Sequence, residues 1–232
     1  VTSVGPLPAP GREPCVLDAR ELYRFFRSGE EETRALRGVT LEVGRGETVA
    51  VVGPSGSGKS TLLACLAGLD EPAGGSVYVG GVRISHRPEA ERARIRARRI
   101  GVLLQSGNLL AHLDVSANIR LARAAAPGGH GEGVAELLDR VGIGHRARAL
   151  PRELSGGELA RAGLAVALAN APDVLLADEP TGELDGTSEA RILDLLRADA
   201  RTGRALLIVT HSPEAMRIAD RTIELRDGRI QE

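Results

Sequence analysis

Tryptophan is absent from this sequence, methionine occurs once, and there are only two tyrosines and two phenylalanines. Cysteine is equally scarce. Cys15 and Cys65 make neither a disulfide framework nor a thiolate metal site. Cys65, inside an apolar run, reads as a small buried hydrophobe. The five histidines are scattered, without metal-ligand spacing. No stretch approaches the ~18–20 consecutive apolar residues that cross a bilayer, and the N-terminus lacks a secretory pattern. The expectation is a soluble, intracellular protein. An excess of one charge is missing too: the formal net charge is −1, so nothing suggests a general nucleic-acid-binding surface. A chain of 232 residues makes one large domain or two small ones. Rarest among the cations is lysine. Lys59 stands alone, and every other fixed cation is arginine.

That lysine lies in Gly53-Pro-Ser-Gly-Ser-Gly-Lys-Ser60, followed by Thr61, which satisfies the phosphate-loop pattern G-x-x-x-x-G-K-[ST]. Before it, Thr48-Val-Ala-Val-Val52 is a continuous β-branched run, the mark of a strand buried on both faces. After it, Leu62 to Ala67 are good helix formers that stop at Gly68. Glycines at 53, 56 and 58 let the backbone turn its N–H groups inward as a nest for phosphate oxygens. The helix N-terminus adds partial positive charge. Lys59 can reach the β- and γ-phosphates, and the Ser60 hydroxyl can sit on a magnesium ion. A guanidinium fork does not replace a slim ammonium at that position.

In chain order, residues 1–14 are rich in Pro and Gly and read as a flexible leader. Val16 to Leu22 reads as a strand leading to Tyr23, Phe25 and Phe26, a cluster that by itself suggests packing. An acidic turn is expected over Ser28 to Glu32, then an alternating strand from Arg37 to Val43. Short strands Ser76–Val79 and Val82–Ile84 flank a Gly-Gly hairpin, a charged helix follows over Pro88–Arg99, and Ile100–Leu104 is a buried strand ending at Gln105. Residues 108 to about 141 turn helical, with a loop over Pro127–Gly133. Leu154-Ser-Gly-Gly-Glu158 opens an apolar helix through Ala169, and Ser155 could cap it. Val174–Ala177 is a buried strand closing on Asp178-Glu179. An amphipathic helix is expected over Glu189–Arg201, a last buried strand over Ala205–Thr210 and a hairpin around Asp227-Gly228. Alternating strands and helices imply an α/β fold with a mostly parallel sheet covered by helices.

Together these segments resemble the ATP-binding subunit of ABC transporters over about residues 16 to 230. Gly53 to Thr61 matches Walker A, Gln105 the Q-loop glutamine, and Leu154 to Glu158 the LSGGQ signature. Val174 to Glu179 matches Walker B with its glutamate, Thr181 to Asp185 the D-loop, and His211 the switch histidine. Phe26 falls where the family places the aromatic that stacks on adenine, which overrides the packing reading. The resemblance implies a P-loop cassette with a RecA-like mixed-sheet core, an antiparallel β subdomain and a helical subdomain inserted at about 106–165. Residues 15–232 would form the one ATP-binding domain. It also implies the ligands ATP and Mg2+. Gly53, Pro54, Ser55, Gly56, Ser57, Gly58, Lys59, Ser60, Thr61 and Phe26 would hold the nucleotide; Ser60, Gln105 and Asp178 would hold the metal. Glu179, Gln105 and His211 would be catalytic.

The same resemblance implies head-to-tail pairing with a second ATP-binding subunit, a homodimer or a heterodimer. Ser155, Gly156, Gly157 and Glu158 of one subunit would then complete the other's site, and Asp185 would couple the two. The partner would be an integral-membrane permease, with no nucleic acid involved, and the location cytoplasmic, peripheral on the inner face of the cell membrane. The stretches Leu36–Leu41, His112–Asn118 and Leu176–Gly182 look most like the lipoprotein-release, macrolide-export and cell-division group, whose permeases transmit force. Departures are Glu158 for the usual Gln, the run Glu158-Leu-Ala-Arg161 for a more polar one, and Val166 where an arginine is usual. The alternatives are a regulatory ATPase controlling a membrane-linked hydrolase or sensor without transport, and a soluble ATPase acting on DNA or ribosomes. Against the second, this sequence shows neither the long coiled coil nor the tandem cassettes that such proteins carry.

Overall fold

The computed structural model describes residues 15–28, 31–105, 108–126, 128 and 131–231. The expected leader over 1–14 lies outside them. Two sheets carry the fold. The smaller is antiparallel and four-stranded, in the order β2 (Glu31–Val43), β1 (Leu17–Ser28), β4 (Gly74–Val79) and β5 (Val82–Arg83). β1 runs past Leu22 and takes Tyr23, Phe25 and Phe26 into the strand, a correction to the shorter strand expected. The β1–β2 register shifts at three places between Ala19 and Phe25, so the period-two pattern that would mark a longer strand is broken in the sequence. Pairing continues to Ser28 opposite Glu31, so Ser28, Glu31 and Glu32 of the expected turn belong to strands, and residues 29–30 lie outside the described residues.

The larger sheet has six strands. Its order is β10 (Arg229–Ile230), β9 (Arg221–Arg226), β3 (Thr48–Val52), β8 (Ala205–Val209), β7 (Val174–Asp178) and β6 (Ile100–Leu103). All neighbours are parallel except the β9–β10 hairpin. Its central strands are apolar on both faces because each face covers a different core. On β7 and β8, Val174, Leu176, Ala205, Leu207 and Val209 enter the core shared with the antiparallel sheet and the helix after the phosphate loop. Their alternates Leu175, Ala177, Leu206 and Ile208 enter a second core under the helices. Strand alternation thus divides one continuous apolar run between two cores.

The helix after the phosphate loop, α1 (Lys59–Leu66), starts at Gly58 in the left-handed region, φ +104. A Cβ there would come within 2.3 Å of the Ala35 carbonyl oxygen, so glycine is required for conformation and for space. Leu62, Leu63, Cys65 and Leu66 are buried. Burial pushes the Cys65 thiol up to about 12, the state of an inert core group.

α2 (Glu89–Arg99) precedes β6, and between β6 and β7 come α3 (Val115–Ala124), α4 (Val134–Arg140), two short 3-10 turns and α5 (Gly156–Leu168). Helix does not begin near Asn108, as expected, but at Val115. Asn118 Nδ2 and Oδ1 bind the Leu110, Leu113 and Asp114 carbonyls and the Leu110 N–H, which ties the preceding segment as a loop. α6 (Gly186–Ala200) starts three residues earlier than its apolar pattern suggests, because Asp185 caps it by accepting from the Thr187 and Ser188 N–H groups. α7 (Pro213–Ile218), capped by Ser212, was not expected. No helix of the described residues is long and apolar enough to cross a membrane.

Candidate functional site

The parallel strands deliver the sequence-predicted residues to one edge. The phosphate loop follows β3, His211 follows β8, Asp178 ends β7 and Gln105 follows β6. These are the C-terminal ends of four adjacent parallel strands, where open α/β sheets bind ligands.

A groove of about 590 Å³ runs over the phosphate loop. Gly56, Gly58, Lys59, Ser60 and Thr61 line it, with Phe26 at the far wall. Phe26 is 42% exposed, so it is not core packing. Gly53, Pro54, Ser55 and Ser57 do not line the groove. Gly53 and Pro54 act through their carbonyls, which accept from Lys59 Nζ at 2.8 and 3.0 Å. Those two bonds hold the Lys59 side chain, itself buried, along the loop with a third donor direction remaining. The Ser57 side chain is buried, and its Oγ has no hydrogen-bond partner among the described residues. A Cβ at Gly53, φ +149, would meet the Leu225 carbonyl oxygen at 2.0 Å, so the loop is pressed against β9. Thr33, Arg34, Ala35, Arg37 and Asp227 complete the groove. They come from β2 and the β9–β10 turn, far away in the chain, and no spacing in the sequence marks them.

The carboxylates lie beside this groove. Burial, and then the charge of adjacent Glu179, push the Asp178 carboxyl up, and only Lys59 opposes the shift. Asp178 is thus a hard oxygen donor in surroundings short of positive charge, which fits a magnesium ion. The Ser60 hydroxyl and the Gln105 amide, the other two donors expected from the sequence, would add oxygen ligands, the type that ion takes.

Glu179 has φ +44, a left-handed backbone that is costly for a residue with a Cβ. Its N–H donates to the Val209 carbonyl at 2.9 Å. Its Oε2 accepts from the His211 N–H at 3.2 Å and the Thr210 hydroxyl at 3.4 Å, and Oε1 lies 3.5 Å from His211 Nε2. The backbone turn therefore aims Glu179 at the residue after β8. Gln105 Nε2 donates to Glu183 Oε1 at 3.2 Å. Glu189, which the sequence did not single out, accepts from the Thr181 hydroxyl at 3.1 Å and the Ser212 hydroxyl at 2.6 Å. It bridges the segment after Glu179 to the residue after His211. Gln105, Glu179, Thr181, Glu189 and His211 share the wall of a second cleft of about 610 Å³.

Ser155 to Glu158 sit elsewhere, and the structure brings none of them into the Lys59 groove. Ser155 caps α5: its Oγ accepts the Glu158 N–H at 3.3 Å, and Glu158 Oε2 accepts the Ser155 N–H at 2.9 Å. This is a capping box. The Ser155 backbone N–H, and then Arg146 at 2.8 Å, hold the Glu158 carboxyl down at about 2. A Cβ at Gly157 would meet Ser188 Oγ at 2.5 Å, so the signature turn packs against the first turn of α6. Asp185 there is occupied as a cap, and its bonds to the Ser188 N–H and hydroxyl lower its carboxyl. Val166 packs against the second core and lines a shallow groove with Leu110 and Leu121.

A family model described as ABC transporter matches residues 36–182. The chain is 42% identical over 219 residues to an uncharacterized ABC transporter ATP-binding protein of Thermotoga maritima, covering 93% of this chain and 94% of that one. It is 40% identical over 220 residues to the lipoprotein-releasing system ATP-binding protein LolD 1 of Caulobacter vibrioides, covering 93% and 94%. Among solved structures, the ATP-binding cassette MJ0796, dimeric in a post-hydrolysis state bound to ADP and Pi, superposes with a TM-score of 0.86. Identity there is 33%, and the match covers 93% of this chain and 97% of that one.

Proposed function

The chain belongs to the ABC transporter family of ATP-binding subunits, and on that footing we propose that it binds and hydrolyses ATP, dimerises on it, and powers an integral-membrane permease. The observation that carries this reading is the convergence of Lys59, Asp178, Glu179, His211 and Gln105 at the ends of four parallel strands. Gly53 to Thr61 hold the phosphates, Lys59 by charge and Gly56, Gly58, Ser60 and Thr61 also from the groove wall. Phe26 stacks on adenine. Ser60, Asp178 and Gln105 would hold magnesium, which would supply a Lewis acid at the terminal phosphates. Glu179 orients and polarises the water that attacks the γ-phosphorus, giving ADP and phosphate. His211, held against Glu179, contacts the γ-phosphate, and Gln105, on the wall of the same cleft, touches the water.

Ser155 and Gly156 are exposed, with Gly157 buried behind them, so this helix N-terminus faces away from the chain's own groove, which suits a γ-phosphate held by a second subunit. Glu158 fixes that turn through its capping box, and Asp185, at the base of the same turn, couples the two sites. Residues 15–232 act as one ATP-binding domain, and the helical insert at about 106–165 carries the face that meets the permease. The chain works on the cytoplasmic face of the membrane, in the lipoprotein-release, macrolide-export and cell-division branch. Purification from membranes with the bound permease tests this. A partner with four spans and a large external domain is expected; a many-span partner would overturn the branch, and the absence of any ATP-responsive membrane partner would overturn the permease reading.

A further inference from the structure

Arg24 lies two residues before Phe26 on β1, and its guanidinium carbon is 4.8 Å from the centre of the Phe26 ring. That is within cation–π range. The same guanidinium donates from Nε to Asp70 Oδ2 at 2.8 Å. Asp70 is itself held: its Oδ1 accepts the Glu71 N–H at 2.8 Å, and its own N–H donates to the Ala64 carbonyl at 3.1 Å. The anchor therefore belongs to the turn that ends α1, the helix that begins at Lys59. Phe26 lines the groove over Lys59, whereas Arg24 does not.

We infer that Arg24 is a positioning residue for base recognition: it covers the rear face of Phe26 and, through Asp70, fixes the ring relative to the phosphate loop, leaving the groove face to a purine. The inference rests on the adenine role proposed for Phe26. An exposed ring without such a backing would lose rotamer freedom on binding the base. A planar guanidinium stacks on a ring in a way an ammonium does not. Because Asp70 follows the end of α1, the spacing between base platform and phosphate cradle is set by one ion pair and one stack as well as by the pairing of β1.

Binding of ATP and of inorganic tripolyphosphate to the full chain, both with magnesium, separates base recognition from phosphate recognition. Arg24→Met is expected to weaken ATP about three- to fivefold, the scale of an exposed cation–π contact, with tripolyphosphate unchanged. Arg24→Lys, which keeps the ion pair to Asp70 and hence the fold, is expected to weaken ATP by less, again with tripolyphosphate unchanged. In a Phe26→Ala background Arg24→Met should have no further effect. Equal losses for both ligands would place Arg24 in the support of α1 alone and overturn the inference, as would unchanged ATP binding in both Arg24 variants. Phe26→Ala alone separates the two readings. A wild-type ratio of ATP to tripolyphosphate affinity in that variant overturns the adenine role and this inference with it. A lowered ratio beside an unaffected Arg24→Met overturns this inference only.

Discussion

Replacing Glu179 by glutamine removes one charge and little else, so its consequences can be worked from the contacts. The carboxylate makes three approaches, to the His211 N–H at 3.2 Å, the Thr210 hydroxyl at 3.4 Å and His211 Nε2 at 3.5 Å. All are long, so the ground-state loss is small. A glutamine keeps one oxygen to accept the His211 N–H, and its amide can donate to a neutral imidazole nitrogen. The left-handed backbone at φ +44 is a cost that Glu and Gln share. Asp178 gains, because the Glu179 charge is one of the two causes that push its carboxyl up. Binding of the magnesium–ATP complex should therefore be equal or tighter. The chemical step loses its base, which is worth about 10²–10⁴ in rate, or about 2.7–5.4 kcal/mol of barrier at 1.36 kcal/mol per decade. Single-turnover phosphate release alongside nucleotide affinity checks both halves. Turnover within about threefold of wild type would refute the assignment of Glu179 as the water-activating group.

Lys59→Ala removes the ammonium that spans the loop between Gly53 and Pro54. A hydrogen bond from a charged donor is worth about 1.5–3 kcal/mol, so nucleotide affinity should fall about ten- to hundredfold by calorimetry. Glu158 predicts a pH dependence. Its folded pKa of about 2 lies below its ordinary 4.5, so its contribution to stability is complete above the ordinary value and is lost as pH falls toward 2. Denaturant midpoints followed from pH 6 downward should show that loss in the wild type, and Glu158→Gln should flatten that portion of the curve; the pH interval is about that of the two pKa values.

Runs that are apolar throughout were legible because burial on both faces leaves no other choice. β3 spans Thr48–Val52 as expected, and β7 and β8 follow their runs closely. Patterns interrupted by local geometry were not. The strand β1 continues through register shifts that hide its alternation, and that is what hid the strand position of Phe26. The cap on α6 preceded its apolar periodicity, so Asp185 read only as a motif member and not also as a helix start. The Ser212-Pro213-Glu214 run did carry a helix-start signal, cap followed by Pro at the first position, and it marks α7. For the site, residues on one motif were readable from spacing. Arg37, Asp227 and Glu189 were not, because they reach it only through the pairing of strands or the approach of α6, which no local pattern records.

The contact between the phosphate loop and the β9–β10 turn has a consequence for synthesis. The Gly228 N–H donates to the Ser57 carbonyl at 3.0 Å, and the Arg37 N–H donates to the Gly228 carbonyl at 2.8 Å. One glycine thus staples the loop to β2 from the far side of the sequence, beside the pairing of β3 with β9. A nascent chain can translate every residue of the loop and still hold it open, since closure waits for pairing across a long separation. Nucleotide added to ribosome-stalled chains should therefore be captured only once residue 228 has cleared the exit tunnel.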